Sequence, residues 1–230
     1  MNPYYQDESV TLYHGDCREV VAWLEADVLV TDPPYGIAWR ANPNWKNASG
    51  GGGHRSTGQA LSIANDGDAA ARDDVLAAWG DRPAVVFGDV LKHRPASAVH
   101  VLIYAKPEDS GIRGARAGRR KDVEAIYLLG PWPVGVGGKS SVLRTGALVA
   151  GPRGVSVRAG HPHAKPLDVM EELVSLAGGM VADPFAGSGS TLVAAKRLGR
   201  KAVGVELEER YCEVIAKRLN QGVLDFGGAA

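Results

Sequence analysis

The sequence predicts a single α/β domain over residues 1–230, in which helices cover both faces of a largely parallel sheet. Two observations lead to this prediction. Short apolar runs alternate with segments of helical spacing, most clearly in the last third of the chain, and this is the pattern of parallel strands joined by helices. The 230 residues are also enough for one domain with a large buried core. The sequence contains no internal repeat.

The first elements follow from periodicity. Residues 9–14 alternate between polar and apolar side chains, as in a half-buried strand. Residues 17–24 have helical spacing, and residues 28–31 form a short apolar run that fits a fully buried strand. Residues 70–79 again have helical spacing, and Asp68 is placed to cap that helix.

The middle of the chain is predicted to add three strands and two irregular segments. The strands are apolar runs over residues 84–87, 99–104 and 124–129. Residues 37–60 include four consecutive glycines, which lose much conformational entropy when they become ordered, so we predict a mobile Gly-rich loop there. Residues 131–160 are rich in Gly and Pro and contain no long periodic segment.

The C-terminal third has the clearest alternation of elements. A helix over residues 167–177 is opened by Pro166 and closed by two glycines, Gly178 and Gly179. The elements predicted after it are, in order, a strand over 180–182, a helix over 191–198, a strand over 202–205 and a helix over 208–219.

Charge and cysteine content narrow the class of protein. The formal net charge is zero, but residues 111–165 carry 10 basic and 2 acidic side chains. This stretch is therefore the candidate partner for phosphates, although a solvated basic loop would have the same composition. Cys17 and Cys212 are the only cysteines, and the sequence has neither a signal-peptide pattern nor a membrane-length apolar run. We expect a soluble, cytoplasmic protein with reduced thiols.

A glycine-rich segment follows the strand predicted over 180–182. It runs Asp183-Pro184-Phe185-Ala186-Gly187-Ser188-Gly189-Ser190-Thr191. The two glycines let the backbone approach a ligand closely, and the amides that open the next helix point at the same place. Glu206, at the end of the next strand, is placed to accept hydrogen bonds from two ribose hydroxyls. The pattern favours a nucleoside-type cofactor over a purely structural turn.

Asp16 lies at the end of another predicted strand. Its carboxylate could accept a hydrogen bond from the amino group of an adenine. It could equally cap the helix that is predicted to begin near Cys17, and one carboxylate could serve both purposes. The sequence leaves these two interpretations open.

The tetrad Asp32-Pro33-Pro34-Tyr35 directly follows the buried strand over 28–31. The Asp32 carboxylate and the Pro33 carbonyl are two acceptors that suit the two N–H bonds of an exocyclic amine on a base. The prolines stiffen the backbone before a substrate arrives, and the Tyr35 ring can stack on the base. An ordinary strand-ending turn is the structural alternative. The tetrad indicates a site for a nucleobase that has rotated out of a duplex.

Together these motifs resemble the DNA amino-methyltransferases that use S-adenosylmethionine. The tetrad matches their catalytic motif, and Phe185-Ala186-Gly187-Ser188-Gly189 matches their cofactor motif. The tetrad comes first, which is the circularly permuted order of the beta class. His161-Pro162-His163-Ala164-Lys165-Pro166 is similar to the His-Pro-x-x-Lys-Pro segment of that class. Asp16-Cys17 is similar to the Gly-Asp-Cys start of such enzymes.

The resemblance implies a fold, a cofactor and a set of site residues. The fold is a seven-stranded, mostly parallel, Rossmann-like sheet with one antiparallel edge strand and helices on both faces. The cofactor is S-adenosylmethionine, without a metal, and the partner is double-stranded DNA. The implied catalytic residues are Asp32, Pro33, Pro34 and Tyr35. The implied cofactor-binding residues are Asp16, Cys17, His161, Lys165, Asp183, Phe185, Ala186, Gly187, Ser188, Gly189, Thr191 and Glu206.

The same resemblance indicates the target. Asp rather than Ser at the first position of the tetrad favours adenine N6 over cytosine N4. Residues 107–160 are the candidate target-recognition region, which is short for that purpose, and Tyr104 stands where relatives often have Trp. His161 and Lys165 are expected to help hold the methionine end of the cofactor. The sequence leaves open whether the protein is a monomer or a homodimer.

Several alternatives compete with methylation of adenine in DNA. The nearest is methylation of cytosine N4, and a methyltransferase acting on RNA or protein is a second. A non-catalytic DNA-binding module with the same fold is a third. A metal site is disfavoured because His161 and His163 have no nearby cysteine, and a serine hydrolase lacks an acid and a histidine in the expected order after Ser188.

Overall fold

The computed structural model describes residues 1–36, 67–108, 110–111, 115–149, 154–159 and 163–221. The loop predicted over residues 37–60 and the candidate ligand His161 lie outside these residues. The strands formed by the described residues are β1 (Tyr5–Gln6), β2 (Val10–His14), β3 (Val28–Thr31), β4 (Ala84–Gly88), β5 (Ala98–Ala105), β6 (Val123–Leu129), β7 (Val142–Arg144), β8 (Val181–Asp183) and β9 (Ala202–Glu206). The helices are α1 (Ala70–Trp79), α2 (Val155–Arg158), α3 (Leu167–Val174), α4 (Ser190–Arg197), α5 (Glu209–Gln221) and a 3₁₀ helix (Ala22–Glu25).

The strands form one mixed sheet in the order β1-β2-β9-β8-β3-β4-β6-β5-β7. Neighbouring strands from β2 to β4 in this order are parallel. Strand β6 is antiparallel to both of its neighbours, β4 and β5, while β1 is antiparallel to β2 and β7 is parallel to β5. The α/β class is confirmed. The expected seven strands with one antiparallel strand at the edge are wrong, because the described residues form a sheet of nine strands and β6 lies inside it.

The two additional strands explain the difference in number. Strand β1 has two residues and β7 has three, and each pairs with a single neighbour at an edge of the sheet. Such short segments are held by backbone hydrogen bonds and show no apolar periodicity. The Gly- and Pro-rich segment over 131–160 therefore contains a strand that the pattern of side chains does not reveal.

Helices cover both faces of the sheet, as predicted. On one face, α3, α4 and α5 bury Leu173, Leu192 and Ile215 against residues of the central strands. On the other face, α1 and the 3₁₀ helix bury Trp79 and Trp23, whose rings stack with centroids 6.0 Å apart. None of the helices formed by described residues is long and apolar enough to cross a membrane.

The helix predicted over residues 17–24 is replaced by a turn and the 3₁₀ helix. The Asp16 carboxylate accepts the backbone N–H of Arg18 at 2.9 Å, and the Asp16 carbonyl accepts the N–H groups of the two residues that follow. The Trp23 indole donates to the Cys17 carbonyl at 2.9 Å, so this carbonyl accepts a side-chain hydrogen bond in place of a backbone N–H of an α-helix. Local side-chain hydrogen bonds therefore prevail over the apolar spacing.

The carboxyl ends of five neighbouring parallel strands meet at one edge of the sheet. The residues at or just beyond these ends include five acidic side chains, which are Asp16, Glu206, Asp183, Asp32 and Asp89. Strand β6 runs in the opposite direction, so its first residues reach the same edge. Ligands of open parallel sheets bind beyond this edge, and the fold therefore gathers the acidic residues in the expected place.

Candidate active site

The two signature segments begin at the same edge of the sheet, and the residue before the tetrad contacts the first residue of the glycine-rich segment. Strands β3 and β8, which lead into them, are parallel neighbours. The Thr31 hydroxyl donates a hydrogen bond to Asp183 Oδ1 at 2.7 Å, and both side chains are buried. Thr31 directly precedes Asp32, so the residue next to the tetrad acid is the one that contacts the glycine-rich segment.

The glycine-rich segment forms a tight loop that needs both of its glycines. Gly187 and Gly189 have positive φ values of 52° and 76°, in the left-handed region. A Cβ atom on Gly189 would lie 2.9 Å from two side-chain carbons of Ile215. Gly189 is the N-cap of α4, so the loop passes directly into the N-terminus of this helix. The backbone here approaches α5 more closely than any residue with a side chain would allow.

Glu206 braces the loop from the end of β9. Its Oε2 accepts the Gly187 N–H at 2.7 Å, and its Oε1 accepts the Glu208 N–H at 2.8 Å. Burial raises the pKa of Glu206 to about 7, against the opposing effect of these hydrogen bonds. Each carboxylate oxygen keeps a second acceptor position. Binding of ribose hydroxyls by Glu206 stays a prediction.

Asp183 lies deeper than Glu206 and is 2% exposed. Burial raises its pKa to about 6, and hydrogen bonds from Thr191, Thr31 and the Phe185 backbone counteract part of this shift. Phe185 and Ala186 follow directly, and the Ala186 N–H donates to the Val205 carbonyl at 3.0 Å. Asp183 therefore ties β3 to the glycine-rich loop and α4.

The segment before α3 is joined to the same loop. The Ser190 hydroxyl donates to the Lys165 carbonyl at 2.9 Å, and the Ser188 and Ser190 hydroxyl oxygens are 3.1 Å apart. The Arg218 guanidinium donates to the Ser188 carbonyl. Burial lowers the pKa of Arg218 to about 10. The backbone of Lys165 is thereby fixed against the glycine-rich loop.

The Asp32 carboxylate is engaged on both oxygens. The Tyr35 hydroxyl donates to Oδ1 at 2.5 Å, and the Lys165 ammonium donates to Oδ2. Burial, followed by the nearby Asp32 carboxylate, raises the pKa of Tyr35, so its hydroxyl remains a donor. Pro33 is buried and Pro34 is half-buried, which keeps this turn in place.

Lys165 connects the tetrad to two residues that the sequence analysis missed, Glu124 and Lys106. The Lys165 ammonium lies 3.4 Å from Glu124 Oε2, and the Lys106 ammonium lies 2.6 Å from Glu124 Oε1. Burial acts to lower the pKa of Lys165, but the carboxylates of Asp32 and Glu124 outweigh this effect, and the pKa is raised. Burial alone would raise the pKa of Glu124, but the ammonium groups of Lys165 and Lys106 lower it to about 2. A lone acid inside the apolar strand over 123–129 was the signal available in the sequence.

Asp89 is a third residue that the sequence analysis missed. It follows β4, the strand next to β3, as Asp32 follows β3. Its Oδ2 contacts the Lys121 ammonium at 2.7 Å, and its Oδ1 accepts the Leu91 N–H at 2.8 Å. Burial acts to raise the pKa of Asp89, but Lys121, the Leu91 N–H and the Lys92 charge together outweigh it, and the pKa is lowered. The position of an acid directly after a buried strand was the available signal.

The remaining predicted site residues have other contacts. Asp16 forms an ion pair with Arg18 at 2.5 Å, and binding of an adenine by Asp16 stays a prediction. Cys17 is buried, and burial raises the pKa of its thiol to about 12, so it is a packed thiol in this structure. Burial lowers the pKa of His163. Among the described residues no cluster of His, Cys, Asp and Glu could hold a metal ion.

Comparisons with known proteins agree with this geometry. Residues 117–218 match the family N6_N4_Mtase, whose description is DNA methylase. The type II methyltransferase M.ScaI of Streptomyces caespitosus is 25% identical to this chain, over 94% of this chain and 83% of that protein. In this region the chain is similar to the N6/N4 DNA methylases. The matched region contains the glycine-rich loop and Glu206, and the tetrad precedes it.

Two solved structures have the same fold as this chain. The M1.HpyAVI–SAM complex is 21% identical, with a TM-score of 0.60, over 92% of this chain and 99% of that chain. The PvuII DNA methyltransferase, described as cytosine-N4-specific, is 16% identical, with a TM-score of 0.61, over 94% of this chain and 88% of that chain. At these identities the similarity establishes the architecture of the sheet and its helices.

Proposed function

We propose that this protein transfers a methyl group from S-adenosylmethionine to the exocyclic N6 amine of an adenine that has rotated out of duplex DNA. The proposal is carried by the hydrogen bond of 2.7 Å between Thr31 and Asp183. It fixes the acid of the tetrad one residue away from the glycine-rich loop. An amine bound at Asp32 and a cofactor bound at this loop would therefore be neighbours.

The residues at the sheet edge fit a nucleoside cofactor bearing a sulfonium. The left-handed backbone at Gly187 and Gly189 makes a tight turn that a ligand can approach closely, and close packing of Gly189 against Ile215 of α5 holds this turn in place. Glu206 offers free acceptor positions for ribose hydroxyls, and Asp16, two strands away from Asp183, offers an acceptor for an adenine amine. When bound, S-adenosylmethionine supplies an electrophilic methyl group on sulfur.

The tetrad prepares the amine of the target base. The Asp32 carboxylate accepts one N–H and the Pro33 carbonyl accepts the other, which localises the nitrogen lone pair toward the methyl group. With the cofactor bound, the amine nitrogen would take the methyl group as its bond to sulfur breaks, and the proton that the nitrogen then releases would pass to the Asp32 carboxylate. Orientation of two reactants in this way is worth about 7–11 kcal/mol of a reaction barrier.

Duplex DNA has to distort before its base reaches this site. Rotating a base out of the stack costs a few kcal/mol, which contacts to the backbone have to offset. Exposed basic side chains in the candidate target-recognition region, residues 107–160, are suited to phosphates. They are Arg116, Arg119, Lys121, Lys139 and Arg144. Asp at the first position of the tetrad and its place before the cofactor motif support the adenine-N6, beta-class assignment.

Modified-base sequencing of DNA from cells that express the chain tests this function. We expect N6-methyladenine at a recurrent short motif, and we expect it to disappear with Asp32→Ala. N4-methylcytosine in its place would assign the activity to cytosine. Absence of any modified base in DNA, together with methyl transfer to RNA or protein, would overturn the proposal.

A further inference from the structure

Four charged side chains form a chain of contacts beside the tetrad. The order is Asp32, Lys165, Glu124 and Lys106, with negative and positive charges alternating. The Lys165 ammonium is hydrogen-bonded to Asp32 and lies 3.4 Å from Glu124 Oε2. Lys165 therefore stands between two carboxylates and is bonded to the one that the proposed reaction requires.

This arrangement conflicts with methyl transfer. The amine nitrogen of the base gains positive charge as the methyl group arrives, and Asp32 is the carboxylate that faces it. An ammonium group on the same carboxylate repels that charge and competes for the same acceptor, since like charges at close range in a low dielectric are unfavourable. The reaction therefore favours a state in which Lys165 has left Asp32.

Glu124 is built to receive the ammonium group. Its Oε2 is shut off from solvent and makes no well-formed hydrogen bond with any described residue. A charge-assisted hydrogen bond spans about 2.7–2.9 Å, so a movement of well under 1 Å would complete a bond from Lys165. The centroid of the Phe87 ring lies 4.8 Å from Lys165 Nζ, and the face of an aromatic ring attracts a cation, so Phe87 favours the ammonium group during this movement. Glu124 sits in β6, paired with Tyr104 of β5, and so holds its position.

We propose that Glu124 is a positioning residue that draws the Lys165 ammonium away from Asp32 when a target base enters. Asp32 is then free to accept the amine, and Lys106 keeps the Glu124 carboxylate aimed at Lys165. When no base is present, Lys165 returns to Asp32 and holds that carboxylate in place. This inference rests on the proposed function of the same site.

The test uses the full chain, S-adenosylmethionine with a labelled methyl group, and unmethylated plasmid DNA. Glu124→Gln removes the charge but keeps the shape, which leaves Asp32 as the only carboxylate beside Lys165. We expect kcat to fall at least tenfold, while the Kd of the cofactor stays within twofold. Lys165→Met in the same chain removes the competing cation. The double variant is therefore expected to recover at least fivefold over Glu124→Gln and to match Lys165→Met alone.

Asp122→Asn is the matched control. Asp122 lies two residues before Glu124, and its carboxylate pairs with Arg120 at 3.0 Å instead of with any of the four charged residues, so its variant should stay within twofold of the parent. A Glu124→Gln variant with unchanged kcat, or a double variant no more active than Glu124→Gln, would overturn the inference. If Glu124→Gln fails to bind cofactor, Glu124→Asp takes its place, with the same rescue expected. An inactive parent chain would instead contradict the proposed function.

Discussion

Replacing Gly189 with alanine tests the close approach of the glycine-rich loop to α5. The left-handed backbone at φ 76° costs an alanine about 1–2 kcal/mol. Its Cβ would also lie 2.9 Å from two carbons of Ile215, an overpacking that costs about 1–3 kcal/mol. The two effects together destabilise the fold by roughly 2–5 kcal/mol. In a chain of this length that lowers Tm by about 4–20 °C.

Gly199→Ala separates the two contributions. Gly199 has a similar φ of 67°, but a Cβ atom there meets nothing within 4 Å. Only the backbone cost of about 1–2 kcal/mol then remains, which corresponds to a fall of about 2–8 °C in Tm. Scanning calorimetry of both variants measures the difference. A Gly189→Ala variant that melts at or above the Tm of Gly199→Ala would refute the predicted clash with Ile215.

Two further predictions concern the same loop. Ser190→Ala removes the donor to the buried Lys165 carbonyl, so we expect urea unfolding to show a loss of about 1–3 kcal/mol; no loss would contradict the link between the two segments. The folded-state pKa of Asp183 is about 6 against a reference of 3.8, so its contribution to stability is full below about pH 4 and is lost as pH rises through 6. Asp183→Asn should therefore gain up to about 3 kcal/mol relative to the parent between pH 4 and 7, and parallel urea-stability curves over that range would contradict the raised pKa.

The sequence predicts the elements that carry the motifs and the edge at which they meet. Asp32 and Asp183 each follow a buried apolar run, and the rule that parallel strands bind ligands beyond their carboxyl ends places both at one edge. The structure adds what the rule leaves out, that β3 and β8 are neighbours. Neighbouring positions in a sheet depend on long-range pairing, which local periodicity does not encode.

The environment of Asp32 could not be predicted for the same reason. Lys165 is 133 positions away from Asp32 in the chain. It reaches this carboxylate because α3, which begins two residues after Lys165, packs against the sheet that contains β3. Because β6 is antiparallel to β4, its first residues, Glu124 among them, lie at the site. The sequence of β6 does not show in which direction the strand runs. The short edge strands β1 and β7 were missed because two or three residues show no periodicity.

The central claim is that an amine held by Asp32 receives the methyl group of a cofactor held at the glycine-rich loop. It is tested most directly with purified chain, duplex DNA and S-adenosylmethionine that carries a trideuterated methyl group, followed by mass analysis of the nucleosides. We predict a trideuteromethyl group on adenine N6 with the parent chain and none with Asp32→Asn, although both bind the cofactor equally. Equal labelling of DNA by both proteins, or no label on adenine or cytosine with either protein, would contradict this account.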